Sequence, residues 1–210
     1  MNSAFDHLRV GIYRGRFAPI HNGHVASAKA FMEQMKLDYL FVIPAFIGDS
    51  SEDDSPLMRL RMCELAFGGV DGIIISDTEI RGEGRIGLCD IFRELSRPDT
   101  RLFLHMGTDE VLSFGDRADV SEILSLCYPT YSRRERDAFL EKRIVEKISL
   151  YYKTYGVMFR RIVTEPQEIS STVIRRSVAE GLNISGLVPE GVARFIREHG
   201  LYRGKEGVAK

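Results

Sequence analysis

Val10-Gly11-Ile12-Tyr13-Arg14-Gly15-Arg16-Phe17-Ala18-Pro19-Ile20-His21-Asn22-Gly23-His24 is the stretch that decides the fold. Its first part is short and apolar, which suits a strand. Gly15 follows where the chain must turn, and a residue without Cβ lets backbone approach a ligand and accepts dihedrals that others resist. Pro19 stiffens the loop, and Gly23-His24 opens a helix. Free N–H groups at a helix start, with the helix dipole, favour an anion. His21 and His24 lie three apart, so both side chains can face one side of the first turn. Each can donate to a phosphate oxygen, and Arg16 adds a permanent charge able to fork onto two oxygens. Taken singly, each piece has a plainer reading: a histidine at a helix start is usually solvated or a cap, and a glycine after a strand is usually a turn. The full order of strand, Gly-x-Phe-x-Pro-x-His-x-Gly-His and helix argues for a phosphate loop. Phe17 and Ile20 are expected mainly to pack that loop against the core.

The same alternation continues outward. Leu8–Tyr13, Tyr39–Ile43, Gly72–Ser76, Leu102–Met106 and Met158–Val163 read as strands, with Leu126–Tyr131 strand-like as well. Several are apolar almost throughout, as strands covered on both faces are. Helical stretches lie between them at His24–Met35, Pro56–Phe67, Leu88–Leu95 and Val120–Leu126. Alternating strands and helices predict a Rossmann-like α/β fold, a doubly wound parallel sheet with C-terminal helices. Arg133–Tyr152 is a charged helical stretch with an apolar stripe through Phe139, Ile144 and Ile148. Gly48–Ser55 is acidic, lacks periodicity and is expected to be a surface loop after the second strand. Ser170–Tyr202 reads as two helices split by Gly181–Pro189, and the tail Arg203–Lys210 is expected to fray. At 210 residues the chain fits one domain over 1–210, with 170–202 as its C-terminal helical part.

Charge narrows the function classes. Lys and Arg total 29 against 30 for Asp and Glu, which argues against a surface built to grip nucleic acid or an acidic membrane. A local basic pocket for phosphates remains open. Cys63, Cys89 and Cys127 are far apart and show no C-x-x-C spacing, so they read as reduced small hydrophobes and no metal site is expected. No apolar run approaches the roughly 18 residues of a membrane span, and Met1–His7 lacks a signal-peptide core. A cytoplasmic protein is expected, and it could be a homo-oligomer.

Ser170 and Thr172 precede a helix expected to start near Val173, where hydroxyls cap free N–H groups or donate to a ligand. Arg175 falls on its first turn and can reach the same anion; the plainer reading is an N-cap followed by a solvated arginine. Asp109 follows the strand ending at Met106, at the carboxyl edge where ligands bind in open α/β sheets. It could equally cap the helix that follows. Arg133 and Arg134 follow Leu126–Tyr131 and are either near a nucleotide or solvated.

The His21–His24 loop resembles the H-x-G-H signature of a nucleotidyltransferase superfamily that includes adenylyltransferases of NAD and coenzyme A synthesis. Three further segments match nicotinate mononucleotide adenylyltransferases in order and spacing: Arg61–Ala66, Gly107-Thr108-Asp109 with Phe114, and Ile169-Ser170-Ser171-Thr172-Val173-Ile174-Arg175. The ending Phe195–Tyr202 is similar to that family's last helix, so the resemblance spans nearly the whole chain. It implies transfer of AMP from ATP, as Mg²⁺-ATP, to a mononucleotide phosphate with release of pyrophosphate. It also implies catalytic roles for His21, His24 and Arg175, and nucleotide contacts from Gly15, Arg16, Phe17, Gly107, Asp109, Ser170 and Thr172. The mononucleotide phosphate is already a nucleophile, so alignment and charge neutralisation are the enzyme's task.

The acceptor is where the chain departs from that pattern. Nicotinate enzymes usually carry Gly-Gly-Thr/Ser-Phe-Asp-Pro where this chain has Arg14-Gly15-Arg16-Phe17-Ala18-Pro19, a form closer to nicotinamide mononucleotide adenylyltransferases. The family's Pro-His-Lys stretch is replaced by acidic residues, and the chain has no Trp to stack on a pyridine ring. Phe46, Phe92 and Phe114 are the candidates for that stacking. Nicotinate mononucleotide, nicotinamide mononucleotide or another phosphorylated acceptor therefore stay open, as does a nucleotide-binding regulator without turnover.

Overall fold

Six parallel strands, β1 (Leu8–Gly15), β2 (Tyr39–Pro44), β3 (Ile73–Ile75), β4 (Thr100–Met106), β5 (Tyr128–Ser132) and β6 (Arg160–Ile162), pair in the order β3-β2-β1-β4-β5-β6. They belong to a computed structural model that describes residues 7–47, 55–133, 137–165 and 169–203. The acidic stretch 48–54, Arg134, residues 1–6 and the tail 204–210 lie outside the described residues. The chain builds the sheet outward from β1 to β3, then crosses back to lay β4 beside β1 and builds outward to β6. That reversal leaves a crevice above the carboxyl ends of β1 and β4, where ligands of doubly wound sheets bind.

Both faces of the sheet are covered because residues of one strand alternate between them. Along β1, Val10 and Ile12 enter one apolar cluster with residues of α4 (Leu88–Leu95), α5 (Thr108–Ser113), α6 (Val120–Leu126) and α7 (Ala138–Tyr155). Tyr13 enters the opposite cluster with α1 (Asn22–Met35), α2 (Pro56–Phe67), α8 (Ser171–Ala179) and α9 (Glu190–Glu198). A further short helix, α3 (Thr78–Arg81), follows β3. Among the described residues no helix is long and apolar enough to cross a membrane.

The expected doubly wound sheet is the observed one, and α2, α4 and α6 have the expected limits. Three local readings need correction. Helix α1 starts at Asn22, because His21 caps it. Helix α8 starts at Ser171 rather than near Val173, because Ser170 accepts the Val173 N–H at 3.2 Å as its N-cap. Helix α7 begins at Ala138, capped by Asp137, and ends at Tyr155, where Gly156 takes a left-handed φ of 69°. Its buried face runs through Ile144 and Tyr151 with Leu140, Ile148 and Tyr155 packed alongside, while Phe139 is exposed. The stripe drawn through Phe139 was one residue out of phase, since five residues to Ile144 put the two side chains on different faces. The short helices α3 and α5 carry too few residues for periodicity to show in the sequence.

Candidate active site

Gly15 ends β1 and the chain leaves the sheet through Arg16 and Phe17. A Cβ on Gly15 would lie 2.8 Å from the Phe17 ring, so glycine is needed there because that ring lies over the backbone. The unusual dihedral belongs to Phe17, whose φ is 51°. Phe17 is buried and meets Tyr13 and His24 edge-on, with ring centroids 5.3 and 5.1 Å away. It packs the loop against the core as expected, and its ring also forms part of the cavity wall described below.

His21 and His24 cap each other's backbone. The His24 N–H lies 3.3 Å from His21 Nδ1, and the His21 N–H lies 3.3 Å from His24 Nδ1. Their rings stack with centroids 3.6 Å apart. An imidazole whose Nδ1 accepts a hydrogen bond carries its proton on Nε2 when neutral, so this reciprocal cap leaves Nε2–H as the donor of each ring. His24 reaches the cavity, whereas His21 is fully buried behind it.

Three side chains from α2 and α8 fasten this loop from a distance, and Asn22 beside it reaches outward. Arg59 of α2, completely buried, donates from one terminal nitrogen to the carbonyls of Arg16 at 2.9 Å and Ala45 at 2.7 Å. From α8, Ser171 Oγ donates to the Pro19 carbonyl at 2.9 Å and Arg175 to the Ala18 carbonyl at 2.6 Å. Asn22 donates its side-chain amide to the Gly186 carbonyl at 2.7 Å. Behind α1, His105 of β4 lies between Thr130 Oγ1 at 2.9 Å and Ser27 Oγ at 2.7 Å, and Ser27 also meets Ser132 Oγ at 2.7 Å. Thr130 donates to the Leu104 carbonyl at 3.1 Å, so it accepts from His105 Nδ1–H, and Nε2 accepts from Ser27. This buried chain ties α1 to β4 and β5 without an unpaired partner.

A cavity of about 210 Å³ opens over the ends of β1 and β4. Arg14, Arg16 and His24 give one part of its wall cationic and donor character, while Asp109 and Glu110 give another part carboxylates. Thr108 and Ser171 contribute hydroxyl-bearing residues. Thr108 Oγ1 is buried and has no hydrogen-bond partner among the described residues. Gly107 is the N-cap of α5 and Asp109 lies exposed in its first turn, so Asp109 is not that helix's cap.

Of the residues singled out in the sequence, Gly15, Arg16, Phe17, His24, Gly107 and Asp109 meet at this cavity. Ser170 serves as the α8 cap, and Thr172 accepts from Arg175 at 3.2 Å. Arg175 touches the loop's backbone, and Ser171 rather than either neighbour lines the wall. Phe92 and Phe114 are sealed in the core and cannot stack on a ligand; Phe46 remains half-buried. Sequence reading missed Arg14, Glu79 and Arg59. Arg14 donates to both oxygens of the buried Glu79 carboxylate, at 2.5 and 3.0 Å. Burial works against its charge, but hydrogen bonding and attraction from Glu79, with Glu110 and Asp119 beyond, leave the guanidinium pKa above its ordinary value. Among the described residues no cluster of three or more His, Cys, Asp or Glu could hold a metal.

The cytidylyltransferase-like family matches residues 12–177, which take in the loop between β1 and α1, the Gly107-Thr108-Asp109 turn and most of α8. A protein of Gemmatimonas aurantiaca named probable nicotinate-nucleotide adenylyltransferase is 32% identical over 93% of each chain. One of the same name from a Thermoanaerobacter species is 31% identical over 95% of this chain and 96% of its own. The chain belongs to the nicotinate-nucleotide adenylyltransferase family, within the cytidylyltransferase-like enzymes. It is thus a nucleotidyltransferase. The fold agrees with that of the Plasmodium falciparum nicotinic acid mononucleotide adenylyltransferase solved with NaAD, at a TM-score of 0.68 and 14% identity over 93% of this chain and 98% of that one.

Proposed function

We propose that this enzyme transfers the adenylyl group of ATP to the phosphate of nicotinate mononucleotide, with release of pyrophosphate, as a cytoplasmic step of NAD biosynthesis. Nicotinamide mononucleotide is the competing acceptor. The observation that carries the reading is the reciprocal cap of His21 and His24, which holds His24 on the wall of the β1–β4 crevice together with Arg16. A phosphate oxygen of the acceptor attacks the α-phosphorus, the bond to the bridging oxygen breaks, and pyrophosphate departs with that electron pair. No side-chain nucleophile is required, so the protein's work is alignment and charge neutralisation. His24 donates Nε2–H to a phosphate oxygen, His21 holds His24 and the helix start in register, and Arg16 neutralises the triphosphate. Arg175, with Ser171, keeps α8 against the loop and offers its guanidinium to the distal phosphates, while Ser170 caps the helix and Thr172 accepts from Arg175. Gly107 and Asp109 face the nucleoside, where a carboxylate accepts sugar hydroxyls.

Mg²⁺ suits the donors present, since Asp109 and Glu110 offer hard oxygens beside the cavity and this ion keeps most of its ligands as water and phosphate. Bound with the triphosphate, it would screen the charge that develops on pyrophosphate.

The test is pyrophosphate release from Mg-ATP with a panel of phosphorylated acceptors. The expected result is turnover with a pyridine mononucleotide, reduced roughly a hundredfold or more in His24→Ala, the effect of deleting one transition-state donor. Release only with a non-pyridine phosphate would replace the acceptor. ATP binding without release for any acceptor would make the protein a regulator.

A further inference from the structure

The cavity straddles the carboxyl edge of the sheet, and its two halves are built from opposite faces. His24 and Ser171 reach it from α1 and α8, on the face that Tyr13 shares. Arg14 reaches it from the other face, because alternation along β1 places it with Val10 and Ile12 toward α4 and α5. A reaction that joins two anionic molecules needs a cation for each, since bringing two phosphates into contact is otherwise repulsive.

Arg14 is held in a defined pose. Its Nε and one terminal nitrogen donate to the two oxygens of Glu79, whose side chain is 3% exposed. The same carboxylate accepts the Phe46 N–H at 3.0 Å, which fixes it to the segment just after β2. A guanidinium has five N–H donors and this fork uses two, on a side chain still 25% exposed at the cavity. Stability alone is a weak reason to bury such a carboxylate, because the desolvation of an ion pair offsets much of its attraction.

We infer that Arg14 is the acceptor-side cation of this enzyme: oriented by Glu79, it binds an anionic group of the acceptor nucleotide, either its phosphate or a carboxylate on its ring. The inference rests on the adenylyl-transfer reading above and adds a specificity-determining residue to it.

Steady-state kinetics on the full chain test it, with KM measured separately for ATP and for the acid and amide pyridine mononucleotides. Arg14→Gln should raise the acceptor KM about tenfold, the ratio that one charge-assisted hydrogen bond is worth, and leave the ATP KM within about twofold. Arg14→Lys should recover part of the loss. Because removing Arg14 alone strands a buried carboxylate, the double variant Arg14→Met with Glu79→Met is measured as well and should show the same acceptor defect. An effect confined to the acid form identifies the ring carboxylate as the group bound; an equal effect on both forms identifies the phosphate. An unchanged acceptor KM in a folded variant, or a parallel rise in both KM values, overturns the assignment while wild-type turnover leaves the adenylyl-transfer reading standing. Absence of wild-type turnover with every acceptor sinks both.

Discussion

Phe17 shows how single residues set this site. A non-glycine residue at a φ of 51° costs of order 1–3 kcal/mol. Full burial of a phenylalanine ring returns roughly 2–3 kcal/mol, and two edge-on aromatic contacts add about 0.5–1.5 kcal/mol each. Packing wins, so the loop keeps its bend without ligand. Thr108 shows the opposite balance: a buried hydroxyl with no partner among the described residues carries an uncompensated desolvation cost. Thr108→Val, which keeps the shape and removes the hydroxyl, should therefore raise the unfolding free energy of the ligand-free protein by about 1 kcal/mol. Urea denaturation checks this, and a loss of stability instead would mean that the hydroxyl is engaged. The placement of Arg16 and His24 at the cavity was legible from the sequence because both lie on the short stretch that joins β1 to the first turn of α1. Arg14 and Glu79 were not, because their partners lie 65 residues apart and only the sheet brings them together. Ser171 was passed over in favour of Ser170 and Thr172 because a one-residue error in phase is invisible in a run of hydroxyl residues.

At the scale of elements, the loop between β1 and α1 owes its position to helices that follow it by tens of residues or more. Arg59 holds it from α2, while Ser171 and Arg175 hold it from α8. Arg59→Met fills the same space but leaves the Arg16 and Ala45 carbonyls without their donor. The expected cost is about 2–4 kcal/mol for two buried carbonyls left unsatisfied, together with a raised KM for ATP because the Arg16 carbonyl is released. Chemical denaturation and kinetics of the same variant test both halves; a loss of stability with unchanged ATP KM would show that the loop keeps its shape without this clamp. Helices α2, α4 and α6 could be bounded from sequence because proline or hydrophobic periodicity marks their limits. The ends of α1 and α8 could not, because a histidine and a serine acting as N-caps look like any polar residue until the backbone is seen. Arg59 escaped notice for a related reason: a charged residue in an amphipathic helix is normally solvated, and only its burial reveals its role.

For the whole molecule, the order β3-β2-β1-β4-β5-β6 explains why residues near positions 15, 24, 108 and 171 share one cavity. Strand type and the parallel, doubly wound class followed from alternation, whereas the strand order depends on long-range pairing that periodicity does not encode. The same close packing shapes the response to alkali. Burial pushes the Cys127 thiol up to about 12 and raises that of Cys63 as well, both from an ordinary value of 9.0. In the unfolded chain these thiols ionise near 9, so above that pH the unfolded state binds fewer protons than the native one. Their contribution is fully present below pH 9 and is lost as pH rises toward the folded values, at about 1.4 kcal/mol per thiol per pH unit. Unfolding free energies at pH 8, 9 and 10 should fall over the last step, and Cys127→Ala should flatten that fall. The claim on which everything else depends is that a nucleoside triphosphate sits across the β1–β4 crevice. Hydrogen–deuterium exchange of the full chain with a non-hydrolysable ATP analogue and Mg²⁺ measures this directly. The account predicts new protection at residues 13–24, 107–110 and 169–175 together; protection confined to other parts of the chain, or none at saturating nucleotide, would contradict it.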